Sequence, residues 1–241
     1  KYDAVSEKIR GAEALVRWIR ADGSMIPPGK FIELFEQNGL ITKLDFYIFE
    51  ESCRLLAEQL RANIPTVPVS VNFSRAHLFD AGFPDKAVAI VEKYALDPGM
   101  LEIELTESSF VLDSQILIRT ISHLHEHGFK VAIDDFGSGY SSLGILKDIY
   151  ADTLKIDIKF LEGFEQGGRV GTIVTAVLRM AKWLEVPVVV EGVETKSQAD
   201  FIRSIGGDMI QGYYYSKPVD SSGWTQLLTK DNFGRILATD K

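Results

Sequence analysis

Seven short runs rich in Val, Ile and aromatic residues recur along this chain, at residues 11–18, 67–73, 101–106, 130–136, 153–160, 187–193 and 209–216. Helix-period patterns separate most of them, at 44–61, 84–94, 115–127, 142–149, 170–184 and 197–205, with a short one near 31–37 and a last one at 220–230. The clearest, 44–61, sets Phe49, Cys53, Leu56 and Leu60 on one stripe. Strands that alternate with helices build a parallel sheet, since each return to the same edge needs a crossover. The expected fold class is therefore α/β. At 241 residues a TIM-type (β/α)8 barrel fits better than an open sheet. Such a barrel needs one strand more than the seven visible runs, and that strand is expected before Lys1. Only about ten residues separate Lys1 from the first run, a hairpin length too short for a crossover helix. The missing strand is therefore expected to run antiparallel, with the chain beginning past its own first strand. Residues 1–230 read as this one domain and 231–241 as a tail or linker.

In a parallel barrel every strand delivers its last residues to one mouth, where chemistry is done. The polar residues that interrupt the apolar runs fall there: Glu13 on the first run, Asn72 on the second, and Glu104 on the third with Glu107 just beyond. The fourth ends in Asp134 and Asp135, the fifth carries Lys155 and Asp157, the sixth ends in Glu191 with Glu194 following, and the seventh carries Gln211. A buried carboxylate is costly unless paired or bound to metal. Any one of these is as readily a satisfied core group as a ligand; five strands delivering carboxylate together point to a site. Oxygen donors without Cys or His suit a hard cation, Mg²⁺ or Mn²⁺. The adjacent Asp134 and Asp135 could share two ions, an arrangement used for in-line attack on phosphate esters.

Other features carry two readings. Lys155 is either an ion-pair partner or the group that orients an attacking water; among carboxylates it stays protonated and cannot be the base. The loop at 136–142, with two glycines, is either a connector or a gate over substrate. Arg17 is either a solvated surface residue or a phosphate clamp. Tyr213, Tyr214 and Tyr215 read most simply as strand residues on both faces. His123, His125 and His127 alternate near a helix end, and i, i+2 neighbours point apart, which argues against a metal cluster.

Composition narrows the function further. Lys and Arg total 26 against 34 Asp and Glu, a net charge of −8. No basic surplus exists for a DNA or RNA polymer or an anionic membrane, while a small phosphorylated ligand remains compatible if cations supply the charge. The single cysteine, Cys53, excludes an intrachain disulfide and reads as a buried thiol. The apolar runs are far too short for a membrane span. A cytoplasmic location fits this segment, although a longer protein containing it could be membrane-anchored.

Taken together, EALVR at 13–17, VNFS at 71–74, ELTES at 104–108, IDDFGSGYSSL at 133–143, LKID at 154–157, VEGVET at 190–195 and QGYYYSKP at 211–218 closely resemble the EAL domain, the bacterial cyclic di-GMP phosphodiesterase family. The resemblance runs from about Gly11 to Val219. It implies a barrel with one antiparallel strand and hydrolysis of cyclic di-GMP to linear pGpG with two Mg²⁺ or Mn²⁺ ions. Carried over by position, Glu13, Asn72, Glu104 and Asp134 would hold one ion, and Asp134, Asp135 and Glu191 the other. Lys155 would hold the nucleophilic water, and Glu107 would tether the loop after Asp135. Arg17 would meet the substrate phosphate, with Asp157, Glu194 and Gln211 completing the pocket. It also implies homodimers and fused regulatory domains outside this segment. The family's first strand normally ends in a substrate-binding Gln followed by Pro just before the point where this chain starts. The alternative reading is a receptor that binds cyclic di-GMP without cleaving it, or a dimerisation module with a silent site.

Overall fold

The computed structural model describes residues 1–107, 109, 114–137, 146, 149–157 and 169–230. The strands in chain order are β1 (Tyr2–Asp3), β2 (Ala12–Ala14), β3 (Trp18–Ile19), β4 (Met25–Ile26), β5 (Val69–Asn72), β6 (Leu101–Thr106), β7 (Lys130–Asp134), β8 (Thr153–Asp157), β9 (Val188–Glu191) and β10 (Met209–Ile210). The helices described are α1 (Ile32–Gln37), α2 (Ile41–Arg61), α3 (Phe83–Lys93), α4 (Ser114–Glu126), α5 (Arg169–Trp183), α6 (Lys196–Ser204) and α7 (Ser221–Thr229). Eight strands form one sheet in the order β1-β10-β9-β8-β7-β6-β5-β2, and β3 and β4 form a separate hairpin. Every pairing in the large sheet is parallel except β1 with β10, which is antiparallel. No described helix is long and apolar enough to cross a membrane.

The antiparallel strand is where the sequence expectation needs correcting. The expectation sets it wholly before Lys1, yet Tyr2–Asp3 occupies that position, with Tyr2 opposite Ile210 and Asp3 opposite Met209. On the other side, the carbonyl of Lys1 accepts from the N–H groups of Arg10 at 2.8 Å and Gly11 at 3.3 Å. Tyr2 also bridges Ile9. The short strand thus ties both ends of the sheet and closes the ring. Its pattern was unreadable because two residues are too few for a period-2 signal.

Two other runs are shorter than expected. The run at 11–18 leaves the sheet after Ala14, and Trp18–Ile19 pairs instead with Met25–Ile26, where Trp18 packs on Phe31 and Phe35. The run at 209–216 ends at Ile210, and the three tyrosines form a turn, not a strand. That turn folds onto Val193: Val193 N–H donates to Gln211 O, and Tyr214 N–H to Val193 O. A Cβ on Gly212 would lie 2.1 Å from Val193 O, so only glycine permits the approach. Tyr215 instead stacks on Tyr2, with ring centroids 4.4 Å apart. The loop at 138–142, most of the helix expected at 142–149, residues 158–160 and the tail at 231–241 lie outside the described residues.

The strand residues that point outward meet the helices. Val69, Val71, Ile103, Leu105, Val131, Ile133, Leu154, Ile156, Val188 and Val190 are all buried in one continuous core. From α2, Phe49, Cys53, Leu56 and Ala57 join it, whereas Leu60, expected on the same stripe, is 44% exposed. Burial pushes the Cys53 thiol up to about 12, which keeps it a neutral packing group.

Candidate active site

Because side chains alternate along a strand, the residues between the core-facing ones point to the barrel axis. Glu13 of β2, Asn72 of β5, Glu104 of β6, Asp134 of β7, Lys155 of β8 and Glu191 of β9 are in this inward phase. The structure gathers them at one mouth. The Lys155 ammonium, fully buried, lies 2.5 Å from Glu104 Oε2, 3.0 Å from Glu191 Oε1, 3.3 Å from Asp134 Oδ2 and 3.4 Å from Glu13 Oε2. Glu13 is held from two further sides. Asn72 Nδ2 donates to its Oε1 at 2.7 Å and Gln211 Nε2 to its Oε2 at 2.6 Å.

Burial pulls the Lys155 ammonium towards neutrality, but Glu104, Glu13, Glu191 and Asp134 outweigh it and hold the group protonated, well above the ordinary lysine range. For Glu191 the balance falls the other way. Burial, with the neighbouring charges of Asp134, Glu13 and Glu104, pushes its carboxyl up to about 8 despite Lys155. Burial also raises Glu13, but Lys155 and the Gln211 and Asn72 amides more than offset it and hold its carboxyl below the ordinary range. Four carboxylates facing one ammonium leave the mouth short of positive charge. It is short of donors too. Gln211 Oε1 is buried without a partner, and Glu191 Oε1 lies near the ammonium without hydrogen-bond alignment. An all-oxygen donor set with surplus negative charge and orphaned acceptors fits hard divalent cations.

The remaining expected residues sit around this ring. Asp135 is exposed and adopts φ 55°, a left-handed conformation, while its N–H donates to Asp134 Oδ1 at 2.8 Å. Such a conformation costs a non-glycine residue energy and recurs at functional sites. Glu107 is buried, and its Oε2 accepts the Gly137 N–H at 2.7 Å, a bond that fixes the backbone just after the Asp pair. Asp157 ends β8 opposite Glu191. Glu194 is exposed beyond β9, where its N–H donates to Gln198 Oε1. Arg17 lies beyond β2, half-buried, donating to the Val16 carbonyl at 2.8 Å.

One layer deeper lies a group absent from the sequence reading. Glu102 Oε2 accepts from Lys1 Nζ at 2.6 Å and from Ser70 Oγ at 2.5 Å, and Glu102 Oε1 accepts from Thr153 Oγ1 at 2.6 Å. Lys1 Nζ also donates to Ser70 Oγ and, at 3.0 Å, to Glu104 Oε1. Glu104 is thereby gripped by a lysine on each carboxylate oxygen. The signal was available: Ser70, Glu102 and Thr153 each precede a mouth residue by two positions, the strand period.

The sequence profile of the EAL domain family matches residues 1–218. The chain belongs to the EAL domain family. Among its relatives, the bifunctional diguanylate cyclase/cyclic di-GMP phosphodiesterase MucR of Pseudomonas aeruginosa is 33% identical over 209 residues, 87% of this chain and 30% of that protein. The probable cyclic di-GMP phosphodiesterase PdeB of Escherichia coli is 36% identical over 210 residues, 87% of this chain and 40% of its own length. A solved structure of the MucR phosphodiesterase in complex with c-di-GMP superposes with a TM-score of 0.86 at 31% identity, covering 92% of this chain and 90% of that one. This EAL chain spans well under half the length of the curated relatives it matches. The fold around the mouth, a curled and mostly parallel sheet with helices outside, is thus shared with that EAL phosphodiesterase.

Proposed function

We propose that this EAL domain hydrolyses cyclic di-GMP to linear pGpG, using two Mg²⁺ or Mn²⁺ ions held at the barrel mouth. The observation that carries the reading is the convergence of Glu13, Glu104, Asp134 and Glu191 within 3.4 Å of Lys155 Nζ. The naming of the relatives and the c-di-GMP complex of the structural neighbour support the substrate.

In this reading Glu13, Asn72, Glu104 and Asp134 hold one ion, and Asp134, Asp135 and Glu191 the other. Bound ions would neutralise the phosphodiester and supply an acidified water as nucleophile. Lys155, a donor with no lone pair while protonated, orients that water by its oxygen and does not deprotonate it. Glu107 keeps the Gly137 backbone in register with Asp134 and Asp135. Arg17 turns its guanidinium from the Val16 carbonyl to a phosphate oxygen, a contact that suits its forked donors. Gln211 steers Glu13 through its amide N–H, and Asp157 and Glu194 border the pocket. Most of the acceleration then comes from positioning and charge stabilisation. The chain's modest share of its relatives' length fits a catalytic unit joined to regulatory domains, and the homodimer implied by the family resemblance is part of the same proposal.

Incubation with cyclic di-GMP, with and without Mg²⁺ or Mn²⁺, followed by separation of the nucleotides, tests this. The expected result is metal-dependent appearance of pGpG. Saturable binding with intact cyclic di-GMP in saturating metal would replace the enzyme with a receptor.

A further inference from the structure

On the outer helical layer, away from the barrel axis, three ligand-type side chains meet. His123 and His127 lie on the last turn of α4 and just beyond it, and Asp85 lies in the first turn of α3. One ligand atom from each lies within 4.8 Å of the other two, the only such His, Cys, Asp or Glu grouping among the described residues. His123 Nε2 is 3.7 Å from Asp85 Oδ1. The two imidazole rings are 4.9 Å apart at their centroids. The helical turn persists past Glu126, because His127 N–H still donates to His123 O at 3.3 Å and to Leu124 O at 3.2 Å.

We propose that His123, His127 and Asp85 form a second metal site, for a divalent transition ion of borderline softness such as Zn²⁺. The alternation of histidines argued against a cluster, and it does separate His125. That ring turns away and pairs with Asp152 at 2.8 Å. His123 and His127, however, stand four apart, the spacing at which helical side chains share a face and two imidazoles can bind one ion. Ligand bonds of about 2.0–2.2 Å let donors on one ion stand up to about 4 Å apart, so the His123–Asp85 separation already fits. Asp85 and His127 are exposed and His123 half-exposed, so solvent reaches the site and their rotamers are free to adjust. Two nitrogens and one carboxylate oxygen leave a position for water. This donor set favours Zn²⁺ over Mg²⁺, whereas the all-oxygen mouth favours the reverse. The chain would then sort two kinds of ion between two places. A bound ion would also pin α3 to α4, the helices that follow the strands carrying Asn72 and Glu104.

The test is equilibrium dialysis of Zn²⁺ and visible absorption of Co²⁺, both in millimolar Mg²⁺ so that the carboxylate mouth is occupied. Wild type, His127→Ala and Asp85→Asn are compared; all changed side chains are exposed. The expected result is one Zn²⁺ retained per chain and a Co²⁺ band characteristic of nitrogen ligation. His127→Ala should lose the band and weaken Zn²⁺ binding at least about ten-fold, and Asp85→Asn should weaken it less. Nucleotide turnover in Mg²⁺ alone should be unchanged in both variants. Equal Zn²⁺ retention and identical Co²⁺ spectra in wild type and His127→Ala, or no Zn²⁺ retained by wild type, would overturn the assignment.

Discussion

Two polar layers stack inside the same barrel, and they are built on opposite principles. The lower one sets Lys1 against Glu102, with Ser70 and Thr153 filling the remaining acceptor positions. Burial raises Glu102, yet the Lys1 charge and the Lys1, Ser70 and Thr153 hydrogen bonds outweigh it and lower its carboxyl. Burial lowers the Lys1 ammonium, yet Glu104 and Glu102 raise it further. Each group there stabilises the charged form of its neighbour. In the upper layer four carboxylates surround Lys155, only Glu104 among them also reaches Lys1, and one, Glu191, is driven towards its neutral form. A buried charge cluster left unbalanced by its own side chains is one designed around charge brought from outside. The balanced layer has the character of scaffold and the unbalanced layer is the proposed site, although they are two residues apart along shared strands.

The strongest way to break that contrast is to remove one acid from each layer. Asp134→Asn should reduce hydrolysis of cyclic di-GMP by roughly a thousand-fold, the scale on which a preorganised electrostatic contact acts. In chelator its resistance to urea should be no lower than that of wild type, because the substitution relieves repulsion among the acids around Lys155. Product chromatography reads the first effect and a denaturant titration the second. An active Asp134→Asn protein would remove Asp134 from the site.

Glu102→Gln should behave the other way. It leaves Lys1 without its nearest counter-charge in a buried place, and breaking a buried pair from one side costs about 3–5 kcal/mol. Glu104 remains within 3.0 Å of the same ammonium and softens the loss, so the lower end of that range is expected. The urea midpoint in chelator reports it. An unchanged midpoint would mean that the lower layer is no more structural than the upper one.

The two layers also differed in how far they could be read beforehand. The mouth was legible because Glu13, Glu104, Asp134, Lys155 and Glu191 each break an apolar run near a strand end, and strand ends of a parallel barrel converge by topology. The resemblance to the EAL family covered the same positions. The lower layer was hidden although Glu102 stands in plain view. A Glu near the start of a strand looks like an ordinary exposed residue until the closing strand brings Lys1 across from it. That closure depends on Tyr2–Asp3, a strand too short to carry a pattern. Tertiary pairing also overrode local propensity at Tyr213–Tyr215, where β-prone tyrosines form a turn because Gly212 lets the backbone close on Val193. His123 and His127 share a helix face at i, i+4 spacing, a pairing that the intervening His125 masks in the sequence, and Asp85 reaches them from another helix.

Divalent ions sharpen the contrast further, with a smaller expected effect. A ligand that binds only the folded chain adds stability according to its excess over Kd, about 2.7 kcal/mol at a hundred-fold excess. Mg²⁺ should therefore raise the melting temperature of wild type and of Glu102→Gln by similar free energies. It should leave Asp134→Asn nearly unmoved. A Mg²⁺ response that survived in Asp134→Asn would place the stabilising ion elsewhere.

Asp152 supplies the mildest case, an acid balanced like Glu102 but nearer the surface. Its carboxylate accepts from His125 at 2.8 Å, Lys130 Nζ at 2.9 Å and the Val131 N–H at 2.9 Å. Burial acts to raise it, but these three donors prevail and hold it at about 2 against an ordinary 3.8. A carboxyl lowered in the folded state contributes stability that is present above its unfolded value and is lost as pH falls through the folded one. Asp152 should therefore stabilise the chain above about pH 4 and cease to do so near about pH 2. With solvent screening of this half-buried group, the contribution is on the order of 1 kcal/mol. Urea titrations of wild type and Asp152→Asn across that window should converge as pH falls. If Asp152→Asn matched Glu102→Gln in size at neutral pH, burial would not be what separates a balanced interior layer from a balanced surface group.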